Sequence, residues 1–437
     1  MRLLQPYRPW RSVVPVGLLL GAALAAGPVA AAGPLTLDDY YTAALKRSEV
    51  IATQSELIRQ AEERTRQANA ALLPTVSGFA SYTWLDELPP SVSATPSTLD
   101  RQTLAKLTAT QPLFRGFREF AAIRQSEALL GAQSDDYRHA RLLLFKDVVV
   151  NFYTVLAIES DIKNLEEEIR LNEERLKDIQ ARIRIGRSRV SESLNVETTV
   201  STLRAVVEQL RGQLLVAREA FAFLSGLDAA TPLTDSEPMP DRLAPLDDYL
   251  AGIAARPDVQ AATKRLDAAR ENVSIARGEH LPSLDLNGNY YLERPGYLDD
   301  ITWDVELALT VPIYAGGSIQ SRVREATSQH TQAELARSQV TRLAEQEVRA
   351  LHQSVQYDLV QLAALERSTE AARKSYEAQS REYRLGLVIN LDVLQALTSY
   401  QQNRRALDRA RLALKADYQR LLAAAARRDG LPAGASP

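Results

Sequence analysis

The chain has 437 residues, 24% charged and 45% hydrophobic, with a formal net charge of −3, four His and no Cys. That length suits two or three ordinary domains. The near-neutral charge excludes a general nucleic-acid partner, and the missing thiols exclude disulfides, zinc thiolates and a lipidated cysteine.

The N-terminus has the three parts of a secretory signal peptide over 1–32. Arg2, Arg8 and Arg11 form a basic region, Val13 to Ala26 an apolar core, and Ala30-Ala31-Ala32 an A-x-A cleavage site. A retained signal anchor is the alternative. Cleavage would start the mature chain near Gly33, outside the cytoplasm. Beyond this segment no apolar run is long enough for a spanning helix, so membrane insertion would need another architecture.

From Leu37 to Leu73 the pattern is helical, and Leu73-Pro74 stops it. Thr75 to Leu85 is strand-like, Asp86 to Asp100 is a Pro/Ser-rich loop, and Thr103 to Gln111 is a second strand that closes on Pro112-Leu113-Phe114-Arg115-Gly116. A very long helix follows, from about Phe117 to Ile185. Its apolar positions, among them Phe145, Val149, Phe152, Ile162, Leu165, Ile179 and Ile183, recur in steps of three and four as a coiled-coil-like seam. Gly186 interrupts it. The seam resumes through Val200, Leu203, Val207, Leu210 and Phe221 to a glycine cap at Gly226.

After a Pro-rich linker, 227–245, the order repeats. Leu246 to Leu281 is helical and ends at Leu281-Pro282. Leu284 to Leu292 and Ile301 to Val311 are strands, with Pro312-Ile313-Tyr314-Ala315-Gly316 after the second. A long helix from about Ser318 reaches Leu385, Gly386 turns it, and a shorter helix runs to about Arg428. The chain thus divides into a first repeat (33–226), a linker, a second repeat (246–428) and a frayed tail (429–437).

Length selects a geometry. The first long helix spans about 105 Å, the helix after Gly186 about 58 Å and the opening helix about 52 Å. The two shorter ones together match the long one. The long helix therefore descends from the strands, the return helix climbs halfway, and the opening helix stacks on it to regain the strands. In the last strand Trp303, Val305, Leu307 and Leu309 alternate with Asp304, Glu306, Ala308 and Thr310. A soluble sandwich alternates in this way, and so does an outer-membrane barrel. Four strands cannot close a barrel, and open edges cannot face lipid. In the barrel reading several copies must combine, and three would supply twelve strands.

The two turns align without gaps. Arg184, Gly186, Glu192 and Leu194 in the first correspond to Arg384, Gly386, Asp392 and Leu394 in the second. With the Leu-Pro boundaries and the strand-to-helix turns at Pro112 to Gly116 and Pro312 to Gly316, they give the chain, over about residues 35 to 428, a pattern that resembles the TolC-like outer-membrane efflux proteins. The resemblance implies a mainly α fold with a membrane β-barrel. It implies a homotrimer with a 12-stranded barrel in outer-membrane lipid, a long α-helical tunnel through the periplasm and an equatorial belt that includes 227–245. It further implies an export channel of a tripartite efflux or type I secretion system. Such a channel would dock on a periplasmic adaptor protein and an inner-membrane transporter, a proton-driven pump or an ABC exporter.

In that family the hairpin turns form the periplasmic tip, where the channel closes and the adaptor binds. Gly186, Gly386, Leu194, Leu394, Leu385 and Leu387 fall at this tip. Asp392 matches the acid that lines the entrance, Glu192 the acid of the other hairpin, and Tyr383 a Tyr that helps hold the gate shut. Two positions depart from the family pattern: Val388 stands where a well-known member has an Arg that pairs across hairpins, and Gln395 where it has a second entrance Asp. Arg184, Arg187 and Arg189 are candidate partners for the carboxylates. Either acid can also serve as a first-turn cap.

No nucleotide-binding, hydrolase or metal-ligand motif is present, and His139, His280, His330 and His352 lie outside any ligand spacing. Neither an enzyme nor a cofactor is expected. The alternative function is a periplasmic coiled-coil adaptor, which would carry one helical hairpin and lack the strand pairs.

Overall fold

A computed structural model of the chain describes residues 33–86 and 101–427. The expected signal peptide, most of the Pro/Ser-rich loop and the tail lie outside the described residues.

Two helices replace the expected opening one: α1 (Leu37–Arg47) and α2 (Glu49–Ala70). Ser48 divides them, as C-cap of α1 and N-cap of α2, where its Oγ accepts the Ile51 N–H. Serine hydroxyls favour such positions because they supply an acceptor to a helix's unpaired N–H groups. The helix expected from Leu246 to Leu281 breaks in the same place of the second repeat. A short helix α5 (Leu246–Leu250) and a 3-10 turn precede α6 (Pro257–Gly278), with Pro257 at its first turn.

Strands β1 (Thr75–Trp84), β2 (Arg101–Arg115), β3 (Ser283–Glu293) and β4 (Trp303–Thr310) form one antiparallel sheet in sequence order. The second strand runs past its expected end at Gln111. A register shift between Pro112 and Phe114 lets β2 stay paired with β3 as far as Arg115 and Ser283. Leu113 is the unpaired residue of this bulge, directly after Pro112, which cannot donate. Gly116, at φ +69°, then makes the turn, and a Cβ there would lie 2.3 Å from the Gly278 carbonyl oxygen.

The long helices are α3 (Arg118–Arg184, 67 residues) and α7 (Ser318–Leu385, 68 residues). The return helices are α4 (Val190–Ser225, 36 residues) and α8 (Asn390–Ala424, 35 residues). The stacking expected from the lengths is present: α1 lies over the end of α4, with the Tyr40 ring stacked on Phe221 at 4.3 Å. Toward the strands the lateral order is α2–α3–α6–α7, and toward the turns it is α4–α3–α8–α7.

Two apolar clusters sit at the middle of the long axis, one per repeat. The first gathers Phe145, Val148, Val149 and Phe152 of α3 with Tyr40, Tyr41 and Phe221. The second gathers Val348, Leu351 and Val355 of α7 with Tyr249, Leu414 and Leu421. Each fully buried side chain of this size contributes about 1.5–3 kcal/mol. Between the clusters the linker is tied down rather than loose: Leu35 bridges Leu233, and Asp235 accepts from Tyr153 and pairs with Lys415 at 2.6 Å.

Candidate gate and docking tip

The strand register sorts the sheet into two faces, since residues opposite one another share a face. On one face Lys106 and Thr108 donate to Asn289 Oδ1 at 3.3 and 2.8 Å, and Asn289 Nδ2 donates to Asp304 at 2.8 Å. Below them Thr110 donates to Asn287 and Arg115 pairs with Asp285. The other face carries Tyr82, Trp84, Leu107, Tyr290, Trp303, Val305, Leu307 and Leu309, all exposed. Polar residues thus cross-link the first face, while the second is an uncovered apolar sheet surface.

At the opposite end the two turns have the same backbone. Gly186 (φ +73°) and Gly386 (φ +78°) are left-handed. The next N–H reaches back to close each helix, Arg187 to the Arg182 carbonyl at 2.8 Å and Leu387 to the Glu382 carbonyl at 3.0 Å. This is the Schellman geometry that glycine permits without a Cβ penalty. An added Cβ would meet no atom within 4 Å at either site, so it is the backbone conformation that requires glycine.

The helices restart at Val190 and Asn390 with extended residues before them. Here the two acids act locally. Asp392 Oδ2 accepts the Ile389 N–H at 3.1 Å, and Glu192 Oε2 accepts the Ser188 hydroxyl at 2.7 Å. Asp392 thereby caps the start of α8, as the capping alternative expects of it, whereas Glu192 bonds a side chain and takes no backbone N–H of α4. None of Arg184, Arg187 and Arg189, the candidate partners, forms an ion pair among the described residues.

Tyr383 has a different environment. Its ring lies between two guanidinium groups of α3, with Arg175 Cζ at 4.9 Å and Arg182 Cζ at 4.6 Å from the centroid. Arg175 Nε also donates to Asn390 Oδ1 at 2.7 Å, and burial pushes the Arg175 guanidinium below its usual range. Sequence reasoning missed Arg175, Arg182 and Asn390. The available signal was the spacing of seven between the two arginines, which puts them on one face of α3. Val388 is half-buried and Gln395 exposed, and neither offers a charge.

The paired leucines separate. Leu194 is exposed, as are Leu385 (75%) and Leu387 (72%), whereas Leu394 packs against the Ile179, Val196 and Val200 cluster. The difference follows from position: α8 lies against α3, while α4 lies at a free edge. Further up the same contact, Arg405 pairs with Glu168, Arg409 with Asp161 at 2.6 Å, and Asn164 donates to Asp408 at 2.8 Å.

This fold and tip define a class: a sector of a helical and stranded tube, with two hairpin turns at one end and an amphipathic sheet at the other. The family described as "Outer membrane efflux protein" matches residues 40–227 and 252–427, and the chain belongs to it. It is 22% identical over 402 residues to the outer membrane efflux protein BepC of Brucella suis, covering 89% of this chain and 84% of that one. To the outer membrane protein TolC of Escherichia coli K12 it is 23% identical, over 80% of this chain and 73% of that one. Among solved structures it superposes on the channel CusC with a TM-score of 0.77 at 20% identity, covering 89% of this chain and 91% of that one. On VceC of Vibrio cholerae the TM-score is 0.76 at 19% identity, covering 89% and 95%.

Proposed function

We propose that the protein is the outer-membrane exit duct of a tripartite efflux or secretion system, a trimer that conducts passively and is gated at the helical tip. One observation carries the reading: among the described residues the sheet and the helix layers end in two unmatched edges that do not meet each other. The sheet ends at β1 and β4, and the helix layers end at α2 and α4 on one side and at α7 on the other. Unlike edges that meet head to tail close into a ring when the rotation allows. Three copies give twelve strands, with the apolar face toward lipid and the polar network toward water. The helices below extend about 100 Å into the periplasm. Among the described residues no helix is long and apolar enough to cross a membrane.

At the tip the exposed Leu385, Leu387, Ile389 and Leu194 form the surface for the hairpin of a periplasmic adaptor, and the inner-membrane transporter supplies the cargo. Tyr383, held by Arg175 and Arg182, keeps the second hairpin against the first. Asp392 and Glu192 ring the entrance and favour cations in the resting pore. An adaptor would not need the two strand pairs.

The test is light scattering of detergent-purified protein followed by planar-bilayer recording. Three chains per particle and a cation-selective conductance, weakened in the Asp392→Asn, Glu192→Gln variant, are expected. A soluble monomer without conductance overturns the duct, and unchanged selectivity in the double variant overturns the role of the acids.

A further inference from the structure

At mid-height α3 has two unlike sides. Phe145, Val149 and Phe152 are fully buried in the first apolar cluster, where Leu227 and Leu233 of the linker pack. Leu143, Asp147, Val150 and Thr154, each two residues from one of these, are exposed. Two residues are a rotation of about 200°, so the exposed set lies on the side of the layer away from the linker. Phe221 and Phe223 of α4 divide in the same way, the first stacked on Tyr40 and the second 79% exposed.

The exposed side holds a groove of about 650 Å³ between α2 and α3, walled by Val50, Leu57, Leu143 and Phe223. Sites for small organic molecules span about 300–1,000 Å³. Most charges around the groove are committed. Arg47 pairs with Glu49, Asp136 with Arg265 of α6, and Lys146 with Glu347 of α7. Burial holds the His139 imidazole below its ordinary range, so it adds no positive charge at neutral pH. Asp147 lines the groove and makes no ion pair among the described residues. An open apolar and aromatic wall thus stands beside one uncompensated carboxylate.

The apolar sheet face shows which side is outside. Phe114 pairs with Leu284, which pairs with Leu309 of that face. The Phe114 ring meets Phe117 at 5.1 Å, and Phe117 meets Phe120 at 6.5 Å. Phe120 stands about seven helical turns before Phe145, so the lipid side of the sheet and the linker side of α3 are continuous. In the ring proposed above the groove therefore faces the tunnel.

We infer that each chain carries, on the tunnel wall at mid-height, a binding site for an amphipathic organic cation. Its apolar body lies on Val50, Leu57, Leu143 and Phe223, and its charge is placed toward Asp147. An anion of the same shape meets the wrong charge, and a small inorganic cation lacks the apolar contact. The binding rests on the groove alone, and its tunnel-facing location rests on the ring.

The probe is tetraphenylphosphonium, a rigid aromatic monocation, titrated by calorimetry into the full-length trimer in detergent. One saturable site per chain is expected. Asp147→Asn should weaken it about fivefold, the upper range for an exposed charge pair. Phe223→Ala should weaken it about as much through the lost ring contact. Both side chains are exposed, so neither change disturbs the core. Tetraphenylborate, of the same shape and opposite charge, should lose nothing in Asp147→Asn. Micelles take up both probes, but equally for wild type and variants. No saturable site, unchanged phosphonium affinity in Asp147→Asn, or an equal loss for the borate overturns the site. The absence of Cys allows a single introduced thiol to report the location. Phe223→Cys in the trimer should react with a small maleimide but not with one carried on a globular protein too wide for the tunnel. Asp241→Cys, at an exposed linker position, should react with both. Phe223→Cys that reacts with both faces outward and overturns the tunnel placement. Phe223→Cys that reacts with neither is covered by a neighbouring chain, which overturns the site. If light scattering does not find three chains while phosphonium still binds through Asp147, the ring and the tunnel placement fail and the site stands.

Discussion

Helix α3 is held along its lower half by two seams of opposite character. Against α4 it packs Ile162, Leu165 and Val207, then Ile179, Val196 and Val200. At the rim a heptad ladder of ion pairs joins Arg204 to Glu173, Arg211 to Glu166 and Arg218 to Glu159. Against α8, beside the apolar contact of Leu394 with Ile179, buried charged and polar groups pair across the seam: Glu168, only 2% exposed, with Arg405, Asp161 with Arg409, and Arg175 with Asn390. The apolar seam loses its burial if the helices part, whereas the polar seam can exchange protein partners for water at a small net cost. The contact within a hairpin and the contact between hairpins are thus built with different chemistry on different faces of one helix, and on the proposed gate the second is the one able to release.

The strongest way to break the comparison is to orphan a buried charge. Arg405→Ala leaves the Glu168 carboxylate without its partner and should cost about 3–5 kcal/mol. The double change Glu168→Leu with Arg405→Met should be close to neutral. Urea midpoints in detergent at fixed protein concentration measure both, and equal losses would show that the seam is held by something other than the pair. Ile179→Ala tests the apolar seam, with an expected loss of about 2–5 kcal/mol. The ladder should matter least: Arg211→Ala, at an exposed pair, should cost less than about 1 kcal/mol, and a larger loss would mean the rim contributes to the seam's strength.

Between these extremes lies a pH effect at mid-height. Burial alone would raise the Glu347 carboxyl, but Lys146 and Arg256 together hold it below its ordinary value. Its stabilising contribution is therefore present above the ordinary glutamate range and is lost as pH falls through the depressed value. Stability of the wild-type chain should fall on acidification below about pH 4, and Glu347→Gln should flatten that fall. Identical slopes in thermal scans would remove Glu347 from the account.

Much of this architecture could be read from local chemistry. A seam in steps of three and four, a glycine followed by a new helical pattern and alternation in β4 depend on residues within a few positions of each other. The two helix breaks were also marked, by Ser48 and by Pro257, but lay inside long helical patterns that outweighed them. The overrun of β2 past Pro112 was not legible, because the ladder that extends it comes from β3, some 170 residues away in sequence.

The candidate site divides in the same way. The sequence by itself determined the repeat, the helix lengths, the left-handed glycines and the position of both acids one turn beyond them. Only the tertiary structure decided that Leu394 is packed while Leu194 is exposed, and that Tyr383 lies between two arginines of α3. The reason is distance along the chain. Contacts such as Arg405 with Glu168 join residues 237 apart, and which helix faces meet at that separation depends on the packing of the whole sector.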